Sequence, residues 1–351
     1  MSVDRRLLIL VQLILIVGII FASALWIAPS VVKPSQKEMP ADWQIIRPPQ
    51  EVSALAVQGN IVWAGGKDGV VGLDRTGGQV VKEIECSPPL AYVRILLVDR
   101  QDELWIGHQS GLTSYDGNSC RTFTQAYGLP SNRVNALLQD RSGRLWAGTS
   151  GGAAVYDGKT WRTLNATDGL ADDMVNVMLE DRQGGIWFGS YVAPSGGISH
   201  LMNGSWQKFS TENGLPHNNI NAFFEDKEGN VWAGTGLYDR GGAVRFAPTS
   251  SGWAIQEILA SRDGLAGNKA RSIFQDRDGV LWIGSEYDGL ARREAGGWRV
   301  LTEKDGLSDP EVKCMVQDVD GNLWMGTRDG VTRLNATALN ALHKQSEASD
   351  R

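Results

Sequence analysis

Short apolar runs recur along the chain at a near-constant spacing, each ended by a polar turn. The stretch from Val134 to Leu164 shows the pattern most plainly. An apolar run, V-N-A-L-L-Q (134–139), is followed by the turn D-R-S-G and a second run, R-L-W-A-G-T (144–149). A Gly-Gly turn leads to A-A-V-Y (153–156), and the turn Asp157-Gly158 leads to W-R-T-L (161–164). Runs this short between Asp and Gly read as strands. Asp bonds back to the amides that follow it, and Gly accepts the positive φ of a tight hairpin. Four such runs joined by short turns predict one antiparallel sheet. The second run carries a Trp-x-Gly core that returns at Trp63, Trp105, Trp146, Trp187, Trp232, Trp282 and Trp324, with gaps of 42, 41, 41, 45, 50 and 42 residues. Seven copies of one supersecondary unit at that period predict an all-β, seven-bladed β-propeller with four antiparallel strands per blade.

The copies also predict how the ring closes. The seventh supplies three strand-like runs (312–318, 322–327 and 330–334) and then a polar tail with no fourth. Ahead of the first copy, Asp42 to Arg47 reads D-W-Q-I-I-R, which matches W-R-T-L and is expected to complete the seventh blade, leaving no open sheet edge. On that assignment every Trp after the N-terminal segment takes one of two positions in the repeat: the second strand, or the fourth (Trp43, Trp161, Trp206, Trp253, Trp298). A second-strand Trp is expected to fill the wedge between blades, removing roughly 150–250 Å² from water. That corresponds to about 4–6 kcal/mol as an upper bound. The Asp-x-x-Gly turn and Trp-x-Gly are therefore architecture and not chemistry.

The combined pattern D-G-L-P-S-N-R-V, D-R-S-G-R-L-W-A-G-T and G-G-A-A-V-Y-D-G resembles the two-component regulator propeller repeat, from Asp42 to about Asn335. The resemblance implies a seven-bladed propeller of the kind often found in the extracytoplasmic sensor region of hybrid histidine kinases. The stretch after Asn335 holds no kinase or DNA-binding domain, so the resemblance extends to the sensing or binding half alone. One copy, D-R-Q-G-G-I-W-F-G (181–189), is also similar to the streptogramin lyase repeat, whose Thr-Glu continuation is replaced here by Gly-Thr or Gly-Ser. The Asp-x-x-Gly turns resemble sialidase Asp boxes as well, which are structural.

Composition narrows the function. A net charge of −6 excludes a general phosphate-backbone binder, so no nucleic-acid partner is expected. The N-terminus changes the picture most. After a short cytoplasmic stretch (1–6) comes Leu7 to Ala28, whose polar members are Gln12 and Ser23. As a helix it would be ~33 Å long, enough to cross a bilayer. Arg5 and Arg6 before it favour an N-terminus inside and a propeller outside. The alternative is cleavage near Ala24, leaving a secreted or periplasmic protein. The apolar run continues through Leu25-Trp26-Ile27, which favours an anchor. Residues 29–41 read as a Pro-rich stalk, 42–337 as the propeller and 338–351 as a polar tail.

Candidate chemistry lies where the copies disagree. Strand direction puts the loops before the first strands and after Trp-x-Gly on one face. The second residue of the first strand reads Ser53, Arg94, Asn135, Asn176, Asn221, Arg271 and Lys313 around the ring. This wholly polar column suits an anionic or hydroxyl-rich small molecule at the channel mouth. The competing reading is that its Asn residues bond neighbouring loops and its bases pair with acids. His108, where five other copies have Thr or Ser, is expected to line the same mouth. The loops after Trp-x-Gly lengthen in three successive copies and carry Tyr191, Tyr238 with Arg240, and Tyr287, a candidate recognition edge. No metal or cofactor site emerges from His200, His217 and His343. Cys314 reads as a buried inert thiol, and Cys86 and Cys120 fall at opposite strand ends, which argues against a disulfide. The expected function is a membrane-anchored ligand-binding or sensor propeller acting with a small molecule or a separate signalling protein. A propeller lyase or hydrolase and an assembly scaffold are the alternatives.

Overall fold

The structure is a computed structural model that describes residues 43–192 and 194–348; the Leu7–Ala28 segment and the 29–41 stalk lie outside them. Seven sheets of four antiparallel strands form, six of them meanders with strands in sequential order. The third blade consists of Val134–Gln139, Leu145–Thr149, Gly152–Tyr156 and Trp161–Leu164, within a residue of the apolar runs. In the seventh, Trp43–Ile46 pairs with Gly330–Leu334 as the outermost strand, in register from Trp43↔Leu334 to Ile46↔Val331. First strands of successive blades pack side by side, including Val312–Gln317 against Val52–Gln58. Among the described residues no helix is long and apolar enough to cross a membrane.

The core lies between blades and not within them. Each hydrophobic cluster joins two neighbours; one runs from Ala136, Trp146 and Leu164 of the third blade to Val175, Ile186 and Phe188 of the fourth. Second-strand Trp rings are buried in these wedges. In six blades the indole Nε1–H donates to the turn Asp at 2.8 Å, from Trp105–Asp99 to Trp324–Asp318. The first blade has no turn Asp, and Gln58 Oε1 accepts from Trp63 instead. The Asp thus ties the turn to the wedge, which explains why the two residues recur together. At Gly148 an added Cβ would meet Val175 Cγ1 of the next blade at 2.7 Å, so the Gly after Trp makes room for the neighbouring first strand.

Far-face turns are stitched in sequence. Arg100 donates to Arg141 O (3.0 Å), Arg141 to Arg182 O (2.6 Å) and Arg182 to Lys227 O (2.7 Å). Lys227 continues to Arg277 O, and Arg277 to Val319 O at 2.8 Å. The basic residue that follows the turn Asp in the second to sixth blades is thereby committed to the next blade.

Three expectations are corrected. Trp253 is not at the fourth-strand Trp position. The hairpin Arg240–Thr249/Gly252–Leu259 is longer than its counterparts and bulged at Arg245/Phe246, so Ile255 opposes Phe246 where Trp161 opposes Tyr156 in the third blade. Trp253 packs edge-on against Trp187 instead, with centroids 5.1 Å apart. Second, the tail is a helix, α1 (Ala336–Ala348). Asn335 caps it by accepting from the Ala338 amide, and Ala338 and Leu339 are buried against the sixth and seventh blades.

Third, Cys86 and Cys120 form a disulfide, with Cα atoms 5.7 Å apart. Counting strand ends places them apart because it treats blades as flat. Sheet twist accumulates across four strands and turns the outer strand towards the ring's circumference. One outer strand then runs towards the start of the next, as Lys82 to Gly117 O (2.9 Å) and Gln207 to Trp253 O (2.8 Å) also show.

Candidate functional site

The polar column has a structural cause. In six blades the first strand carries a register shift at its second residue, for example between Val134 and Ala136, and between Val312 and Cys314. The bulged residue has no ladder partner, and a bulge redirects its side chain. Ser53, Asn135, Asn176, Asn221, Arg271 and Lys313 all occupy it, and Arg94 sits just before Ile95–Val98 in the second blade. All seven line one central cavity of about 670 Å³.

Much of the column is also structural glue. Asn135 Nδ2 donates to Val175 O (3.1 Å), Asn176 Nδ2 to Ile220 O (2.8 Å) and Asn221 Nδ2 to Ala270 O (3.1 Å). Each acceptor is the residue at which the next blade's ladder is interrupted, so the amides satisfy carbonyls beside the bulges. Arg271 and Lys313 are paired as well. Arg271 lies 3.6 Å from Glu311, and Lys313 lies 3.6 Å from both Glu51 and Glu311. Reading the column alone misses Arg133, Lys269, Glu51, Glu286 and Glu311, which enter the cavity from outside it. Lys269 is clamped by Glu286. Counted together, five basic and three acidic side chains line the cavity. Cys314 also lies on its wall, and desolvation pushes its pKa up to about 12, which keeps the thiol protonated.

His108 is corrected. It is fully buried, its Nε2 lies 2.9 Å from Thr113 Oγ1, and its Nδ1 accepts from Ser110 N–H. Burial pushes its pKa down to about 4. No histidine lines the cavity.

The three tyrosines do not form one edge. Tyr191 turns into the channel, with Lys269 Nζ 5.8 Å from its ring centroid. Tyr238 and Tyr287 are exposed and flank a separate cleft of about 490 Å³ together with Asp239 and Asp288. Arg240 is exposed beside Tyr238 at the turn between the second strand, Val231–Leu237, and the third, Arg240–Thr249, of the fifth blade.

His343 of α1 sits between two carboxylates of the sixth blade's far-face turn, 3.2 Å from Asp276 Oδ2 and 3.2 Å from Asp278 Oδ2. The sequence gives no hint of this group, because α1 is what brings His343 to the turn. These residues have the chemistry to hold a cation. As they stand, the imidazole lies between the two acids, within ion-pair distance of each. Burial alone would raise the Asp276 pKa, but His343, the Trp282 indole and the Val280 amide more than reverse it.

The family model described as "Two component regulator propeller" matches residues 128–151, 169–192, 214–236, 264–287 and 306–329. The third to seventh blades each carry a two-component regulator propeller repeat. Each matched repeat runs from the near-face loop through the bulge and the turn Asp to the residues just after Trp-x-Gly, so it contains both a column residue and the wedge Trp. The first two blades, with Ser53 and Arg94, lie outside the matched stretches.

Among solved structures, the chain is similar to the extracellular domain of BT3049 from B. thetaiotaomicron, assigned as a hybrid two component system. The TM-score is 0.74 at 19% identity, covering 86% of this chain and 42% of that one. The corresponding domain of BT4673 from the same organism gives 0.68 at 18% identity, covering 84% and 39%. The chain therefore spans about two-fifths of these two structures. A catalytically inactive H270A virginiamycin B lyase from Staphylococcus aureus, solved with quinupristin, gives 0.64 at 14% identity, covering 84% and 98%. At these identities the likeness is one of fold. No curated protein matches the chain in sequence.

Proposed function

We propose that the protein is an extracytoplasmic ligand-binding propeller of sensor type, tethered through Leu7–Ala28, that takes a small anionic or hydroxyl-rich molecule into its central channel. The observation that carries this reading is the channel itself. Bulges in six blades, and the residue before the first strand of the second, bring polar side chains of all seven blades into one cavity, on a scaffold carrying two-component regulator propeller repeats. The likeness to extracellular domains assigned to hybrid two component systems supports the sensor role. The Cys86–Cys120 disulfide supports an oxidising compartment, since such bonds persist mainly outside the cytoplasm. A ligand bound here would be relayed to a signalling partner.

A thermal-shift screen of the full chain against neutral sugars, uronates and other small anions tests the proposal. The expected result is a stabilising ligand whose effect is lost in Tyr191→Ala and kept in Tyr238→Ala. Loss in Tyr238→Ala alone would move the site to the outer cleft and refute the channel. Reporter fusions at the two ends test the topology, and a cytoplasmic propeller would overturn it. One observation favours a second reading: Tyr238 and Tyr287, both exposed beside one cleft, suit docking of a protein partner.

A further inference from the structure

The charge in the channel is unevenly distributed. Three of the five bases are neutralised: Lys269 by Glu286, Arg271 by Glu311, and Lys313 by Glu51 and Glu311. Arg94 and Arg133 line the same cavity, and among the described residues neither guanidinium has a carboxylate or hydrogen-bond partner. They enter from adjacent blades, Arg94 just before Ile95–Val98 and Arg133 just before Val134–Gln139. Both are solvent-exposed, and the Arg94 pKa is lowered first by partial desolvation and next by the Arg133 and Arg271 charges, with Glu51 opposing them. A guanidinium keeps its charge at any working pH and presents only donors. Two of them facing one cavity, neither within ion-pair distance of a carboxylate, repel each other, and an anion bridging them relieves that repulsion.

On the third to fifth blades the column offers the opposite chemistry. The amide nitrogens of Asn135, Asn176 and Asn221 are committed to backbone carbonyls, which leaves their oxygens as acceptors. Asn221 Oδ1 is buried and accepts from nothing among the described residues. The cavity therefore offers a donor pole on the second and third blades and acceptors beside it.

We infer that Arg94 and Arg133 together anchor one acidic group of the channel ligand, a carboxylate or sulfate, while a hydroxyl-bearing remainder lies against the Asn135, Asn176 and Asn221 oxygens. This rests on the channel being the ligand site. Acidic sugars have that chemistry, with the charge at one end and donors along the ring.

Melting of the full chain in detergent is measured with sodium sulfate against sodium chloride at matched ionic strength, and with trigalacturonate against neutral maltotriose. Arg94→Gln/Arg133→Gln is compared with wild type, and Arg162→Gln on an outer strand serves as control. The expected result is a saturable rise in Tm with sulfate and a larger one with trigalacturonate. In the double variant the apparent Kd for each should weaken at least tenfold, while the ligand-free Tm is unchanged or higher because the repulsion is gone. Equal responses in wild type and double variant would overturn the inference. If maltotriose stabilises both equally and Tyr191→Ala abolishes the effect, the channel stands as a ligand site and the anionic anchor does not. If no probe responds to any channel substitution, both readings fall.

Discussion

His108 shows how one residue converts burial into a pH dependence. Its Nδ1 accepts from an amide and its Nε2–H donates to Thr113, so the fold holds the neutral ring. The folded pKa of about 4 lies below the ordinary value of 6.5. As pH falls through 6.5 the unfolded chain takes up a proton that the folded chain refuses, so stability declines down to about pH 4 and then levels off. By linkage the loss amounts to up to about 3 kcal/mol. Thr occupies the equivalent site in the third, fifth and seventh blades, where Thr149 Oγ1 donates to Gly152 O at 2.8 Å. His108→Thr is therefore expected to fold and to flatten the decline in Tm between pH 6.5 and 4 relative to wild type. An unchanged pH profile would contradict the buried neutral imidazole. The column illustrates the same lesson in reverse. Asn135 and Arg94 look alike as polar residues at one repeat position, yet one is an inter-blade staple and the other a bare charge, because the partners belong to other blades.

At the scale of elements, α1 is the part least evident from the sequence. Its Ala338, Leu339 and Leu342 pack on the sixth and seventh blades, but they are dispersed among polar residues in a segment too short to show a strong apolar stripe. Leu339 is buried, so Leu339→Ala should remove about 2–3 kcal/mol of docking free energy. The helix ends the described chain, so the expected result is local undocking. Amide exchange should accelerate in residues 336–348 and at the Asp276–Gly279 turn while the other blades keep their protection. Faster exchange throughout the ring would show that α1 supports the whole propeller.

For the molecule as a whole, the Cys86–Cys120 bond is a second covalent link, besides the chain itself, between the first two blades. It closes a loop with a sequence separation of 34. Loop-closure entropy for such a loop gives about 4 kcal/mol as an upper value. Cys86→Ser/Cys120→Ser, or reduction of the wild type, is expected to lower Tm by several degrees. No change in Tm on reduction would mean that this link adds nothing to the ring.

The number of blades, the order of strands within each and the identity of the wedge residues follow from the sequence alone. They depend on short-range patterning: alternation along a strand, Asp and Gly in a turn, and a Trp every forty-odd residues. What the tertiary structure alone decided is which polar residues are spent and which remain free. Arg271 meets Glu311, Lys269 meets Glu286 and Cys86 meets Cys120 because blade twist and ring closure bring together residues from different turns of the repeat. Those partners share no fixed spacing, so no pattern along the chain can pair them. The ring brings Arg94 and Arg133 into one cavity and, among the described residues, leaves neither in a close ion pair.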